Sequence, residues 1–195
     1  MLKKEIRKIY REKRNTLSNA QRNKLEDLLL IQFQQLNIDI PATIMAYAPI
    51  EKFNEYDPGL ILDYCAFKNP IQQLCYPLMT SGLTESPKMH AVCVDDTTEF
   101  ELNAWGIPEP INAPIIDPSR IEMVILPLLA FDLKGNRVGY GKGYYDNFLK
   151  SCNAQCIKIG FSYFEPLDII EDVASWDIPL NFGITPERIV NFDAN

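Results

Sequence analysis

The stretch MVILPLLAFDLKGNRVGYGKGYYDNFL, residues 123–149, joins a long apolar run to a glycine-rich loop and then to a helical segment. Residues 123–131 are apolar throughout, which predicts a buried strand. Glycine occupies every second position from 139 to 143, and a helix is predicted to begin near Tyr144. A strand, a loop and a helix in this order form the building unit of α/β proteins. The loop is therefore expected at the carboxyl end of a strand, where open α/β sheets bind ligands.

Strands and helices are predicted to alternate along the rest of the chain. Apolar or alternating runs predict further strands at residues 43–49, 73–79, 89–94 and 157–161. Helices are predicted at residues 2–16, at 18–36 after a capping box of Ser18 and Gln21, and from Asp57-Pro58 onwards. The proline-rich residues 107–118 are interpreted as an ordered surface connection. This order predicts an α/β fold, a single domain over residues 1–195 built as a three-layer sandwich around a largely parallel sheet.

The charge of the chain is unevenly distributed. Its formal net charge is −7, which argues against a nucleic-acid surface, because such a surface needs basic patches. Nine of the 19 Lys and Arg residues nevertheless lie in the first 24 positions, where only two acids occur. The chain therefore begins with a basic arm on an acidic body, and that arm could meet a bound anion.

The cysteines and the N-terminus indicate the compartment. Five cysteines are scattered without a C-x-x-C pair or zinc-like spacing, so we expect reduced thiols. The N-terminus is polar and lacks the apolar run of a signal peptide. No run of about 18 apolar residues is present, so no membrane span is expected. We therefore expect a cytoplasmic protein that acts without a membrane or a nucleic acid.

The glycine loop is suited to hold an anion. Glycines at alternate positions allow positive φ and leave no Cβ in the way, so successive N–H groups can turn towards a phosphate. Arg137 and Lys142 add positive charge, and the helix beginning near Tyr144 adds the partial charge of its N-terminus. Asp146 lies one turn into that helix and could face a cation bound to the phosphates. The alternative interpretation is a flexible glycine-rich turn whose tyrosines pack in the core.

Two familiar nucleotide loops do not match this stretch. A Walker A loop needs glycine where Asn136 stands and Ser or Thr where Gly143 stands. A dinucleotide fingerprint beginning at Gly139 needs its third glycine at the position of Tyr144. The loop therefore belongs to neither class.

Residues 126–149, LPLLAFDLKGNRVGYGKGYYDNFL, resemble the signature of the 5-formyltetrahydrofolate cyclo-ligase family, also called methenyltetrahydrofolate synthetases. Three further segments are similar to family motifs at suitable spacing: KKEIR at 3–7, NEYDPGLIL at 54–62 and WGIPEP at 105–110. The resemblance implies a Rossmann-like domain of the type seen in sugar-phosphate isomerases and CoA transferases. It implies ATP-dependent conversion of 5-formyltetrahydrofolate to 5,10-methenyltetrahydrofolate, with Mg²⁺ as cofactor and release of ADP and phosphate. We expect the enzyme to act as a monomer.

The resemblance also assigns residues to ATP and to the metal. Lys3 and Arg7, one turn apart on the first helix, would meet the phosphates. Arg11, Lys13 and Arg14 are interpreted as surface charge. Asp146 corresponds to a magnesium ligand, and Arg137 and Lys142 are the predicted catalytic cations. The nucleotide loop comprises Arg137, Val138, Gly139, Tyr140, Gly141, Lys142, Gly143, Tyr144 and Tyr145.

For the folate, Glu55 corresponds to the family's acidic residue that hydrogen-bonds the pterin. A carboxylate suits the paired N–H donors of that ring, although an acid preceding a helix is also favoured by the helix dipole. Ile50 is predicted to line the same pocket, and Tyr140 and Tyr144 to border the substrate. Trp105 either stacks on an aromatic part of the substrate or packs in the core.

The resemblance weakens near the C-terminus. The family usually has an aspartate that approaches the metal there, and Phe182-Gly183 stands at the expected position. Asp177 or Glu187 could replace that carboxylate if the loop is rearranged, or Asp146 and the phosphates could hold the metal together with water. The alternative function is a folate- or nucleotide-binding paralogue with reduced or lost turnover. His90, the single histidine, lies in an apolar strand and is expected to be structural.

Overall fold

A computed structural model describes residues 1–80, 88–103 and 106–192 of the chain. The α-helices in this part of the chain are α1 (Lys3–Asn15), α2 (Asn19–Gln35), α3 (Gly59–Lys68) and α4 (Tyr144–Leu149), and two short 3₁₀ helices span Glu51–Phe53 and Pro118–Arg120. The strands are β1 (Thr43–Met45), β2 (Gln73–Thr80), β3 (Lys88–Val94), β4 (Phe100–Leu102), β5 (Pro108–Pro110), β6 (Ile115–Ile116), β7 (Met123–Leu126), β8 (Ala130–Phe131), β9 (Arg137–Val138), β10 (Ile157–Phe161), β11 (Phe182–Ile184) and β12 (Ile189–Asn191).

Eight strands form one mixed, mostly parallel sheet in the order β12-β11-β10-β7-β1-β2-β3-β6. The five consecutive strands from β11 to β2 are parallel to one another. The antiparallel strands β12, β3 and β6 extend the two ends of this parallel centre. The predicted α/β fold is confirmed, with antiparallel additions at both edges.

Both faces of the sheet are covered, because successive side chains of its central strands enter different cores. Met123 and Ile125 of β7 pack in one core with α2 and α3, which contribute Leu29 and Ile61 among others. Val124 and Leu126 pack in a second core on the opposite face, where α4 contributes Phe148 and Leu149. The sheet therefore lies between two apolar layers, as the predicted sandwich requires.

Local sequence signals placed most helix boundaries correctly. The capping box is present: the Ser18 side chain accepts a hydrogen bond from the Gln21 amide, and the Gln21 side chain accepts one from the Ser18 amide. Asp57 precedes α3, and its carboxylate accepts from the Gly59 amide at 2.9 Å. The helix itself begins at Gly59, one residue after Pro58. These contacts satisfy amides that a helix start would otherwise leave unpaired.

Two predicted strands are shorter in the structure than in the prediction. The run at 123–131 divides into β7 and β8, with Pro127 between them. Proline has no N–H to donate to a sheet ladder, so β7 ends before it. The predicted strand at 43–49 pairs only as β1, Thr43–Met45. The proline-rich connection contains the short strands β5 and β6.

Helix α1 and the glycine loop meet over a third core. Ile6 and Tyr10 of α1 pack with Leu129, Ala130 and Val138 of the hairpin formed by β8 and β9. This packing holds the predicted basic arm against the segment that leads into the glycine loop. No helix within the described residues is long and apolar enough to cross a membrane.

Candidate active site

The side chain of Arg7 fastens α1 to the glycine loop. Its Nε donates to the carbonyl oxygen of Gly139 at 2.9 Å. A Cβ at position 141 would lie 3.0 Å from the Arg7 Cζ, and Gly141 itself has φ +91°. The backbone conformation therefore favours glycine at 141, and a larger residue there would also displace the Arg7 guanidinium slightly.

The glycines of the loop play different parts. Gly141 and Gly143 adopt positive φ, as predicted, with Gly143 at +71°. Gly139 does not have a positive φ, and a Cβ there would make an ordinary contact of 3.7 Å with the Pro127 carbonyl. Lys142, between the two left-handed glycines, is exposed. The loop therefore presents this lysine to solvent from a backbone that only glycines adopt readily.

Arg137 and Asp146 close the base of the loop. The Arg137 Nη2 lies 2.8 Å from the Asp146 Oδ1, and the Arg137 side chain is 7% exposed. Ile178 binds both partners: its amide donates to the Asp146 Oδ1 at 3.0 Å, and its carbonyl accepts from the Arg137 Nη1. The predicted catalytic arginine and the predicted metal ligand thus form a half-buried pair with the segment preceding β11.

The same segment brings Asp177 to Lys3. The Lys3 ammonium pairs with the Asp177 Oδ2, which also accepts from the Ala174 amide at 2.7 Å. Asp177 directly precedes Ile178, whose amide donates to the Asp146 Oδ1, so the segment that carries Asp177 contacts Asp146 through its backbone. The described residues contain no cluster of three or more His, Cys, Asp or Glu residues that could hold a metal by themselves. Glu187 is exposed in the turn between β11 and β12.

Glu55 lies at the other side of the loop and is 3% exposed. Its Oε1 accepts from the Tyr140 hydroxyl at 2.7 Å, and its Oε2 accepts from the Ile50 amide at 2.9 Å. Burial raises the pKa of Glu55, while these two hydrogen bonds and the charge of Arg14 oppose the rise. The structure thus brings three of the predicted substrate residues, Ile50, Glu55 and Tyr140, into direct contact.

Aromatic rings and a guanidinium border this carboxylate. The rings of Phe53 and Tyr140 stack with their centroids 5.9 Å apart and their planes at 30°. The Cζ of Arg11 lies 5.4 Å from the Phe53 centroid and 5.5 Å from that of Tyr140. Such a guanidinium is attracted to the ring faces. Arg11, interpreted from the sequence as surface charge, is therefore half-buried against the site.

The interpretation of Arg14 as surface charge is wrong. Its side chain is 1% exposed, and its Nη1 and Nη2 donate to the Tyr140 hydroxyl and the Leu128 carbonyl. Arg14 follows Ile6 and Tyr10 at helical spacing, and all three are buried. This spacing is the signal that could have placed Arg14 on the inner face of α1.

The remaining predicted residues take different positions. The side chain of Val138 is buried, and its carbonyl accepts a hydrogen bond from the Leu129 amide. Val138 therefore packs in the core and pairs with the neighbouring segment of the hairpin. Tyr144 is half-buried at the first residue of α4, and Tyr145 packs against the second core. Trp105, the predicted stacking residue, lies outside the described residues. His90 lies in β3, where its Nε2 is 3.1 Å from the Thr80 hydroxyl.

Gly183 is a packing position in β11. A Cβ at 183 would lie 2.4 Å from the Phe131 Cε2. A carboxylate side chain could enter there only if the buried Phe131 ring moved. Asp177 therefore fits the neighbourhood of Asp146 better than any side chain at 183.

We expect Gly183→Ala to lower the free energy of unfolding by about 1–3 kcal/mol, because the added methyl overpacks the core. Chemical denaturation of the variant and of the parent protein measures the loss. Gly59→Ala is the matched control, since the atom nearest to its Cβ would be a carboxylate oxygen of Asp57, at 3.2 Å. Equal free energies of unfolding for Gly183→Ala and the parent would show that the Phe131 ring moves aside at no energetic cost.

Comparisons with known proteins converge on one family. The model of the 5-formyltetrahydrofolate cyclo-ligase family matches residues 1–181. The 5-formyltetrahydrofolate cyclo-ligase of Mycoplasma pneumoniae is 24% identical over 188 residues, which cover 96% of this chain and 100% of that protein. The Escherichia coli protein of the same name is 36% identical over 97 residues, 47% of this chain. That match covers only 52% of the Escherichia coli protein, and a match to a Schizosaccharomyces pombe relative covers 54% of its length.

Solved structures show the same fold. The NMR structure of the Aquifex aeolicus 5,10-methenyltetrahydrofolate synthetase superimposes with a TM-score of 0.80 at 27% identity, covering 100% of this chain and 95% of that one. The structure of a 5,10-methenyltetrahydrofolate synthetase from Mycoplasma pneumoniae superimposes with a TM-score of 0.72 at 24% identity.

Proposed function

This chain belongs to the 5-formyltetrahydrofolate cyclo-ligase family, and from that membership we propose that it converts 5-formyltetrahydrofolate to 5,10-methenyltetrahydrofolate with ATP, releasing ADP and phosphate. The observation that carries the proposal is the hydrogen bond from Tyr140 of the glycine loop to Glu55. Tyr140 lies within the glycine loop, and its hydroxyl donates to the buried carboxylate of Glu55 at 2.7 Å. One loop thus connects a phosphate-binding backbone with a carboxylate suited to a pterin.

The proposed reaction needs little covalent chemistry from the protein. Transfer of the terminal phosphoryl group of ATP to the formyl oxygen converts a poor leaving group into a good one. N10 of the folate then attacks the formyl carbon, and the carbon–oxygen bond breaks to release phosphate. Such steps require that the two substrates be positioned and that the developing charge be stabilised.

We assign the phosphates to the glycine loop and to α1. Lys142 is the exposed cation of the loop, and Arg7 holds the loop backbone through Gly139. Lys3 lies one turn before Arg7 on the same face of α1. Arg137 lies beneath the loop, in its pair with Asp146. These cations would offset the charge of the triphosphate, and the N–H groups from 139 to 143 would bind its oxygens.

We assign the pterin to Glu55. A carboxylate that is held by the Tyr140 hydroxyl and the Ile50 amide is fixed in orientation, so it can accept from the paired N–H groups of an aminopyrimidinone ring. The stacked rings of Phe53 and Tyr140 provide an apolar border beside it. Ionised Glu55 is the accepting form; burial raises its pKa, and the hydrogen bonds from Tyr140 and Ile50 oppose that rise.

The residues present fit a magnesium ion that arrives with ATP. Magnesium sites of this kind use one or two carboxylates together with phosphate oxygens and water. Asp146 and Asp177 are the two carboxylates that we assign to the ion, and the Oδ1 of Asp146 accepts from both the Arg137 Nη2 and the Ile178 amide. Asp146 and Asp177 would hold the ion, and the bound ion would neutralise charge on the phosphates.

We also propose that the protein works in the cytoplasm. All five cysteines lack a disulfide, which suits a reducing compartment. ATP and 5-formyltetrahydrofolate are its proposed partners.

The function is tested by mixing the protein with MgATP and 5-formyltetrahydrofolate and following the methenyl chromophore. We expect the chromophore to appear only when ATP and Mg²⁺ are both present. Retained folate binding without chromophore would instead favour the alternative, a binding paralogue that has lost turnover. The close superposition on a methenyltetrahydrofolate synthetase and the intact glycine loop favour the enzyme.

Glu55→Gln is expected to raise the KM for 5-formyltetrahydrofolate about 10- to 100-fold, because a charged hydrogen-bond acceptor is lost. The KM for MgATP is expected to stay within about twofold, since the phosphates bind at the opposite side of the loop. Steady-state kinetics with each substrate varied in turn measure both. Glu51→Gln, an exposed glutamate in the same segment, is the control. An unchanged folate KM would remove Glu55 from the substrate site.

A further inference from the structure

Arg14 is a buried cation without a carboxylate partner. Its side chain is 1% exposed, and none of the described residues places a carboxylate within ion-pair distance of it. Its Nε is also buried without an acceptor among these residues. Burial of a guanidinium in this way opposes folding, and an apolar side chain of similar size would cost less. The charge therefore needs an explanation other than stability.

The contacts of Arg14 join both halves of the proposed site. Its Nη1 lies 3.3 Å from the Tyr140 hydroxyl, and its Nη2 donates to the Leu128 carbonyl, which follows β7. Its main-chain carbonyl accepts from the Asn54 side-chain amide at 3.2 Å. Asn54 directly precedes Glu55, so residue 14 contacts the nucleotide loop with its side chain and the folate segment with its backbone.

The guanidinium also orients the hydrogen bond between Tyr140 and Glu55. A hydroxyl has one proton, and Arg14 is a donor only, so a bond from Arg14 occupies a lone pair of the Tyr140 oxygen. The proton of Tyr140 is then left for Glu55, whose Oε1 is 2.7 Å away. The same positive charge favours the ionised form of the Glu55 carboxylate.

We propose that Arg14 is a positioning residue of the folate site, which holds the Tyr140 hydroxyl as a donor to Glu55 and thereby fixes the carboxylate that binds the pterin. This inference rests on the function proposed above. Arg14 acts through Tyr140 and Glu55 and need not touch either substrate. A planar fork with fixed donors can hold Leu128 and Tyr140 at once, whereas a lysine ammonium on a flexible stem cannot reproduce that geometry.

The test compares Arg14→Lys, Tyr140→Phe and the double variant. Each single change is expected to raise the KM for 5-formyltetrahydrofolate about tenfold, and the KM for MgATP by less than about twofold. The double variant is expected to resemble the single ones, because both changes break the same chain of hydrogen bonds. Arg188→Lys, which alters an exposed pair with Glu165, is the control and should match the parent.

A purely structural role for Arg14 gives a different pattern. A structural role predicts a loss of stability, similar changes in both KM values, and effects that multiply in the double variant. That pattern would overturn the proposal, and so would an unchanged folate KM in Arg14→Lys.

If Arg14→Lys is not recovered folded, Arg14→Gln, which keeps N–H donors without the charge, takes its place with the same expectation. If the parent forms no methenyl product, the proposed function fails on its own, and equilibrium binding of 5-formyltetrahydrofolate, tenfold weaker in the variant, still tests Arg14.

Discussion

Replacing Lys142 with alanine is expected to lower kcat about 10²- to 10³-fold, the loss seen when one pre-positioned donor to a developing charge is removed. Lys142 is exposed between Gly141 and Gly143, whose φ values of +91° and +71° turn the loop around it. Its ammonium would follow the phosphoryl group as charge redistributes between ATP and the formyl oxygen. Formation of the methenyl chromophore at saturating MgATP and folate measures the change.

A matched variant separates this effect from a general change in charge. Lys150→Ala removes an exposed lysine that follows α4 and whose Nζ is 3.3 Å from the Asn147 side-chain oxygen. It should leave kcat within about twofold of the parent, as surface substitutions usually do. Lys142→Arg keeps the charge and should retain more activity than Lys142→Ala. A Lys142→Ala enzyme with an unaltered rate would mean that the glycine loop is not the phosphate cradle.

Asp146→Asn is expected to reduce kcat/KM for MgATP about 10²- to 10³-fold, because a proposed metal-binding carboxylate loses its charge. The substitution preserves shape, and its side-chain oxygen can still accept from the Ile178 amide and from Arg137, as Asp146 does now. A fall in rate would therefore report the lost charge rather than a displaced loop. The free Mg²⁺ concentration needed for half-maximal rate should rise in parallel.

Asp177→Asn tests the second proposed carboxylate, which is paired with Lys3 in the structure. Asp63→Asn, on the exposed side of α3, is the control for loss of one negative charge. Binding of Mn²⁺ to the protein with a non-hydrolysable ATP analogue gives a readout that is independent of turnover. If Asp146→Asn bound Mn²⁺ like the parent and kept its rate, the metal would have to be held elsewhere.

Local sequence patterns predicted the four α-helices and the longer strands, but not the short strands β4, β5, β6, β9, β11 and β12. The capping box of Ser18 and Gln21, the apolar run of β10 and the start of α4 near Tyr144 all involve residues within a few positions of one another. These signals depend only on nearby residues, so they predict an element before its tertiary contacts are known. The lengths of β1 and β7 were overestimated, because apolar content shows burial, whereas a strand also needs a partner backbone and continuous N–H donors.

Buried charges were the least predictable part of the site. Arg14 shares a run of basic residues with Lys13 and Arg11, and composition alone favours solvent exposure for all three. Its burial depends on Leu128 and Tyr140, which are 114 and 126 positions away. The spacing from Ile6 and Tyr10 shows which face of α1 it occupies, but only the packed hairpin of β8 and β9 makes that face an interior one.

The amino-acid sequence by itself determined the four α-helices and five of the strands, the glycine loop with Lys142, and the motifs shared with the 5-formyltetrahydrofolate cyclo-ligase family, because these depend on neighbouring residues. Tertiary structure alone decided that the Ile178 amide, next to Asp177, donates to Asp146, that a side chain at Gly183 would meet the Phe131 ring, and that Arg14 contacts the Tyr140 hydroxyl, which donates to Glu55. Those relations join residues far apart in the chain. They exist only when the whole sheet is assembled and the entropy of closing the long loops between them has been offset by burial.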